Sequence, residues 1–230
     1  MTDESSLPEN FSGLARLFPL PNIVLFPYVI QPLHIFEPRY CELMADALRD
    51  DRLIAMATLR PGWEPEYHNR PAVYPVICIG RILKEESLPD GRYNFLLHGL
   101  SRARILDEVP TGKAYRTARV RLLEEIPVAS PAVEHDLRQQ LSAHMNAWFA
   151  SQSTALAQLR QLLESSLLLG TLCDIFSFTL AIDIPVKQEL LEQLDVERRV
   201  LRLLDYLGPQ LPAASAPETD RHFPPEFSAN

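Results

Sequence analysis

Between Leu17 and Tyr40 the chain reads LFPLPNIVLFPYVIQPLHIFEPRY, an apolar run broken by Pro19, Pro21, Pro27 and Pro32. Proline has no N–H to give a sheet interior and disrupts a helix interior, so it is confined to strand ends, edges and bulges. The stretch therefore predicts short extended pieces. Pro38 carries a different meaning. It precedes RYCELMADALRD, where Tyr40, Leu43, Met44, Ala47 and Leu48 recur at helical spacing, and proline suits a first helical position. Two broken strands feeding a helix mark the entry to a β-rich unit.

The pattern continues in kind up to Pro127. LIAMATL (Leu53 to Leu59) reads as a buried strand, and Arg60 to Ala72 as a proline-rich loop bearing Trp63 and Tyr67. VYPVICIGRILKEESL and RYNFLLHGLSRARILDEV flank Pro89-Asp90-Gly91, a turn whose proline presets φ and whose glycine supplies φ > 0. They form a long hairpin, with Tyr93, Phe95, Leu97 and Gly99 on one face by period two. Gly80 and Gly99 inside strand patterns point to bulges or close backbone approach, the means by which a sheet curls. Ala114 to Ile126 adds a strand, with Ala118, Val120 and Leu122 on its apolar side.

Beyond Pro127 the period becomes helical. Val133, Leu137, Leu141, Met145 and Trp148 give one amphipathic helix, 154–164 a second and Ser165 to Ile182 a third. Pro185 opens a fourth, and Asp195 caps a fifth that stops at Gly208-Pro209. The fold class is α+β: a curled β unit over residues 14–127, then a helical unit over 128–208. Residues 1–13 are expected to be a disordered leader and 209–230, rich in Pro, Ala and Ser, a flexible tail.

Ser165 to Ile182 approaches membrane-spanning length, but Asp174 lies in its middle and Glu164 and Asp183 flank it, so it predicts a buried helix. MTDESSLPENFSG carries neither a positive n-region nor an apolar h-region, so a signal peptide is not expected. Cys41, Cys78 and Cys173 form no C-x-x-C pair and read as reduced thiols of a cytoplasmic protein. The formal net charge of -8 disfavours phosphate-backbone partners. There is no P-loop, no G-x-G-x-x-G, no H-E-x-x-H and no G-x-S-x-G, and with Lys84, Lys113 and Lys187 as the lysines a Ser–Lys dyad has little to draw on. No enzyme, cofactor or metal site is expected.

Several constellations remain. His34, Glu37 and Arg39 stand where the second strand becomes a helix, and read as a corner tied by hydrogen bonds and an ion pair in preference to a general base. Glu134, His135, Asp136 and His144 read as a solvated helix face. Arg102, Arg104, Arg116, Arg119 and Arg121 read as a salt-bridged outer sheet face, served by Glu85, Glu86, Asp107 and Glu108; an anion-binding stripe is the alternative. Trp63 and Tyr67 either contact an extended peptide or close over the protein's own core.

The opening FPL-P-N-VLFP that runs into PLHIFEPRY resembles the start of the Lon protease N-terminal (LON substrate-binding) domain family. Pro89-Asp90-Gly91-Arg92-Tyr93 followed by LLHGLSRARI is similar to that family's second β unit, and Ile184 to Leu204 to its closing helices. Ile77 departs from the small residue the family has there. The resemblance implies a PUA-like β-sheet pseudo-barrel followed by an α-helical bundle. It also implies a stand-alone, non-enzymatic protein-binding module without the ATPase and protease domains, engaging unfolded or partner proteins and serving a protease or chaperone. The expected client surface is an oily groove between the β domain and the helices, with Pro32, His34, Phe36, Trp63 and Tyr67 as its residues. An RNA-binding PUA-like module is the alternative.

Overall fold

The period-two segments before Pro127 form one sheet. They are β1 (Leu14–Leu20), β2 (Ile30–Ile35), β3 (Leu53–Thr58), β4 (Val76–Ser87), β5 (Tyr93–Val109) and β6 (Arg116–Leu122). The helices are α1 (Pro38–Arg49), α2 (Pro131–Trp148), α3 (Leu169–Thr179), α4 (Ile184–Glu192) and α5 (Val196–Leu207). A computed structural model describes residues 6–67, 69–149 and 161–208. Most of the helix expected over 154–164, and the tail from 209, lie outside them.

Strand order is β2-β5-β4-β3-β1-β6, and a further β5–β6 pairing closes five of the strands into a barrel. Only β1–β3 is parallel. Closure depends on the length of β5, which pairs with β2 at one end and β6 at the other. Register shifts at Ile79/Gly80, Ile82/Lys84 and Ile105/Asp107 bend the long hairpin, as bulges do. The prolines fall where donors are not needed. Pro19 lies past the β1–β6 ladder, which ends at Leu17, and Pro32 sits on β2, which has a strand neighbour on one side only.

Alternation divides the apolar residues into two cores. Ala15, Leu17, Ala55, Ala57, Ile77, Ile79, Ala103, Ala118 and Val120 fill the barrel, and the many alanines suit so narrow an interior. The opposite set, including Phe18, Ile54, Met56, Cys78, Phe95 and Leu97, joins α1 and the helices in a second, larger cluster. Leu122 is exposed in place of completing the inward row of β6. The first described residues are tied down: Leu7 and Phe11 pack on the barrel core, and Arg81 Nη2 donates to Ser6 O at 3.0 Å.

The two parts meet over the larger cluster and a buried ionic hub. Arg102 keeps the outer face of the barrel, beside Cys78, but the helices cover that face and its side chain is 1% exposed. It grips Asp174 in α3 bidentately at 2.6 and 2.8 Å, reaches Glu125 at 2.6 Å, and donates to Leu191 O at 2.9 Å. Arg199 of α5 is fully buried beside it, 2.7 Å from Glu125 and 3.3 Å from Asp174. Burial pushes the Arg102 guanidinium down, but the charge and hydrogen bonds of Asp174 outweigh it and hold the pKa above the ordinary range. Asp174, which argues against a membrane span in the sequence, is thus the counterion of two buried arginines. Among the described residues no helix is long and apolar enough to cross a membrane.

α5 begins as the sequence predicts, with Asp195 Oδ1 accepting from the Arg198 N–H at 3.1 Å. The same turn is fixed from outside by Val196 N–H donating to Ile126 O at 3.0 Å. Asp195→Ala is expected to cost about 1 kcal/mol in urea unfolding and Asp195→Asn close to nothing, since both Asp and Asn caps satisfy the free N–H.

Candidate functional site

The β2–α1 corner is built around Glu37. Its position ahead of Pro38 makes it the N-cap of α1, yet its side chain forms no cap bond. The carboxylate instead accepts from Arg39 Nε at 3.0 Å and from the Tyr67 hydroxyl at 2.5 Å. Arg39 lies 5.0 Å over the Tyr67 ring and 4.7 Å over Tyr40, and Trp63 meets Tyr67 edge-on at 5.4 Å. Burial and the Glu37 charge push the Tyr67 phenol up, so it keeps its proton and donates. The proline-rich loop is therefore pinned to the corner through Tyr67, with both aromatics half-buried.

One turn of chain earlier, His34 Nδ1–H donates to Asn94 Oδ1 at 2.7 Å, and its ring stacks near Phe36 at 6.1 Å. Phe36 is 44% exposed. Pro32 is buried and offers a client no surface. Of the five residues expected at a client surface, Trp63 and Tyr67 form one pair and His34 and Phe36 another. Glu37 follows Phe36 in the chain and bonds to Tyr67, so the two pairs stand on either side of it.

Two further residues belong with them. Ile30 on β2 is 46% exposed and Tyr28, just before it, is 50% exposed. Tyr28 holds φ at 65° without being glycine, a conformation that persists only where neighbours enforce it. The enforcement is backbone pairing: Tyr28 N–H donates to Gly99 O, and Gly99 N–H to Val29 O, both at 2.8 Å. Period two puts Tyr28, Ile30, His34 and Phe36 on one side of the strand, but which side is exposed is set by the fold and not by that period.

Behind the corner, α1, the 60–72 loop and the start of β6 border a shallow cleft with an interior volume of ≈ 50 Å³, open to solvent on one side. Arg39, Arg70 and Arg116 line it together with Tyr40, Tyr67 and Tyr115. The joint between sheet and helices, expected as an oily groove, is instead filled among the described residues by the larger apolar cluster and the ionic hub. Burial pushes the Cys78 and Cys173 thiols up to about 12, far from a reactive thiolate. Among the described residues no group of His, Cys, Asp or Glu is placed to hold a metal. On α2, His135 and His144 bond to Gln139 and to Gln140 O one turn away.

Residues 15–208 match the family described as the ATP-dependent protease La (LON) substrate-binding domain. The chain belongs to this family. Among curated proteins it is 30% identical over 218 residues to Lon protease 2 of Herpetosiphon aurantiacus, covering 92% of this chain and 26% of that one. It is 29% identical over 207 residues to Lon protease of Trichlorobacter lovleyi, covering 90% and 24%. The LON chain thus spans about a quarter of the length of these relatives.

Solved structures share its fold. The N-terminal domain of Mycobacterium avium complex Lon protease aligns with a TM-score of 0.68 at 16% identity, covering 86% of this chain and 100% of that one. The Lon N-terminal domain protein from Xanthomonas campestris aligns at 0.60 and 21%, covering 84% and 98%. The pseudo-barrel followed by helices, expected from the LON resemblance, is therefore the fold of this chain.

Proposed function

We propose that this LON domain is a non-enzymatic module that recognises other polypeptides, unfolded segments or partner proteins, and serves a protease or chaperone. The observation that carries the reading is the strip of Tyr28, Ile30 and Phe36, each about half exposed on or beside a strand held rigid by β5. Large apolar and aromatic groups on a fixed scaffold give contact area with few rotors to freeze. His34 supports the strip from below, and Trp63 and Tyr67 extend it past the corner. The division near residue 127 leaves client contact to the β part, with the helical part bracing it through the buried hub. A cytoplasmic location accords with three unpaired thiols. The RNA-binding alternative is weakened because its arginine stripe loses Arg102 to the interior.

The test is fluorescence anisotropy with labelled, reduced and carboxymethylated lactalbumin, a permanently unfolded polypeptide. Binding at micromolar concentration is expected. Phe36→Ser and Trp63→Ala should each weaken it by about tenfold while unfolding like the parent. If the parent protein ignores this client, the reading is wrong.

A further inference from the structure

The cleft behind the corner contains an arrangement that recognition of apolar segments does not require. Three guanidinium groups converge on it from three elements: Arg39 from α1, Arg70 from the loop and Arg116 from β6. Among the described residues no carboxylate lines it. The acids that serve these arginines stand behind them. Glu37 takes Arg39 at 2.8 Å, and Glu108 takes Arg116 through Nε at 3.0 Å. Arg70 is left at the edge, its Nη1 3.7 Å from the same Glu108 and its side chain 60% exposed. Three cations thus share two anions, in a chain whose formal net charge is -8.

The other bonds fix the cleft's shape. Arg116 Nη1 donates to Pro71 O at 2.7 Å, and Arg39 Nη1 to Tyr67 O at 3.4 Å, so two of the arginines hold the loop in place. These are positioned cations with their orientation already set. The planar fork of a guanidinium matches a carboxylate, which can accept two parallel N–H bonds from it. Pro19, Leu59 and Pro71 supply apolar wall beside the charge. A small anion carried on an apolar chain fits this combination.

We propose that the cleft binds a carboxylate of the client polypeptide, with Arg70 as the principal donor and Arg39 and Arg116 framing it. The carboxylate comes from the client's C-terminus or from an Asp or Glu side chain. This rests on the reading of the chain as a polypeptide-recognition module and adds to it a charge preference: the apolar strip holds the segment, and the cleft holds one anionic group on it.

A labelled dodecapeptide rich in Leu and Phe, with one internal glutamate and a free C-terminus, serves as the probe. Its C-terminal amide and its Glu→Gln form separate the two sources. One of these changes is expected to weaken binding about fivefold on the parent protein and not at all on Arg70→Ala, with Arg70→Glu weaker still. Arg70 is exposed, so its variants should fold normally, checked by far-ultraviolet circular dichroism. Equal binding of all three peptides by the parent protein, with Phe36→Ser still reducing it, would overturn the carboxylate site and leave the recognition reading intact. No binding of any peptide would remove both.

Discussion

Asp174→Ala is expected to destabilise the fold by about 4 kcal/mol, because it leaves the two buried guanidinium groups of Arg102 and Arg199 with one shared, partly exposed carboxylate, that of Glu125. In a chain of this size that corresponds to a fall in Tm of roughly 8–16 °C. Glu125→Gln should cost far less, about 1 kcal/mol, since its carboxylate is 32% exposed and water can take its place. The double variant Arg102→Met, Asp174→Leu should recover at least half of the loss. Removing a buried pair together avoids the uncompensated charge that removing one partner creates. Thermal unfolding followed by circular dichroism ranks the three. A smaller effect for Asp174→Ala than for Glu125→Gln would mean that the hub does not join sheet to helices as described.

Gly99→Ala is the second large effect. A Cβ at this position would stand 2.0 Å from Phe26 O, with Phe26 C at 2.9 Å. Neither backbone can move aside cheaply, since Gly99 itself bonds to Tyr28 and Val29 on the same segment. The expected cost is about 3 kcal/mol. It should appear first as faster amide exchange over residues 24–30. Because that segment fixes Tyr28 and leads into Ile30, client binding should fall in the fraction that remains folded. Gly91→Ala makes the control. It strains a turn glycine with φ of +81° but meets no atom within 4 Å, and about 1 kcal/mol is expected. Similar losses at the two positions would show that conformational strain, and not the close approach to Phe26, sets the demand for glycine.

The strands and most of the helices could be read from the chain because their causes are local. Proline confined the opening run to edges and ends, Pro38 started α1, and Asp195 capped α5. Gly99 was legible as a place of close approach, though not what approaches it. The arginines were not legible individually. Arg102, Arg116 and Arg119 sit in the same kind of alternating pattern, yet Arg102 is buried while Arg119 is exposed beside Asp107 at 3.6 Å. What separates them is Asp174, which is 72 residues further on and invisible to any local period. The proposed client surface follows the same rule. Phe36 and Trp63 drew attention as aromatics near proline, whereas the exposure of Tyr28 and Ile30 depends on β2 ending the sheet.

What the sequence determined alone is most of the described elements and their order, because backbone donors, periodicity and caps act over a few residues; the LON substrate-binding family followed from the likeness of particular motifs. Only the tertiary structure decided that the groove expected between sheet and helices is filled, that the exposed apolar strip lies along β2, and that three arginines meet at one cleft. Each of these depends on groups distant in the chain competing for the same buried volume. Burial, unlike periodicity, belongs to the assembled fold and not to any one segment of it.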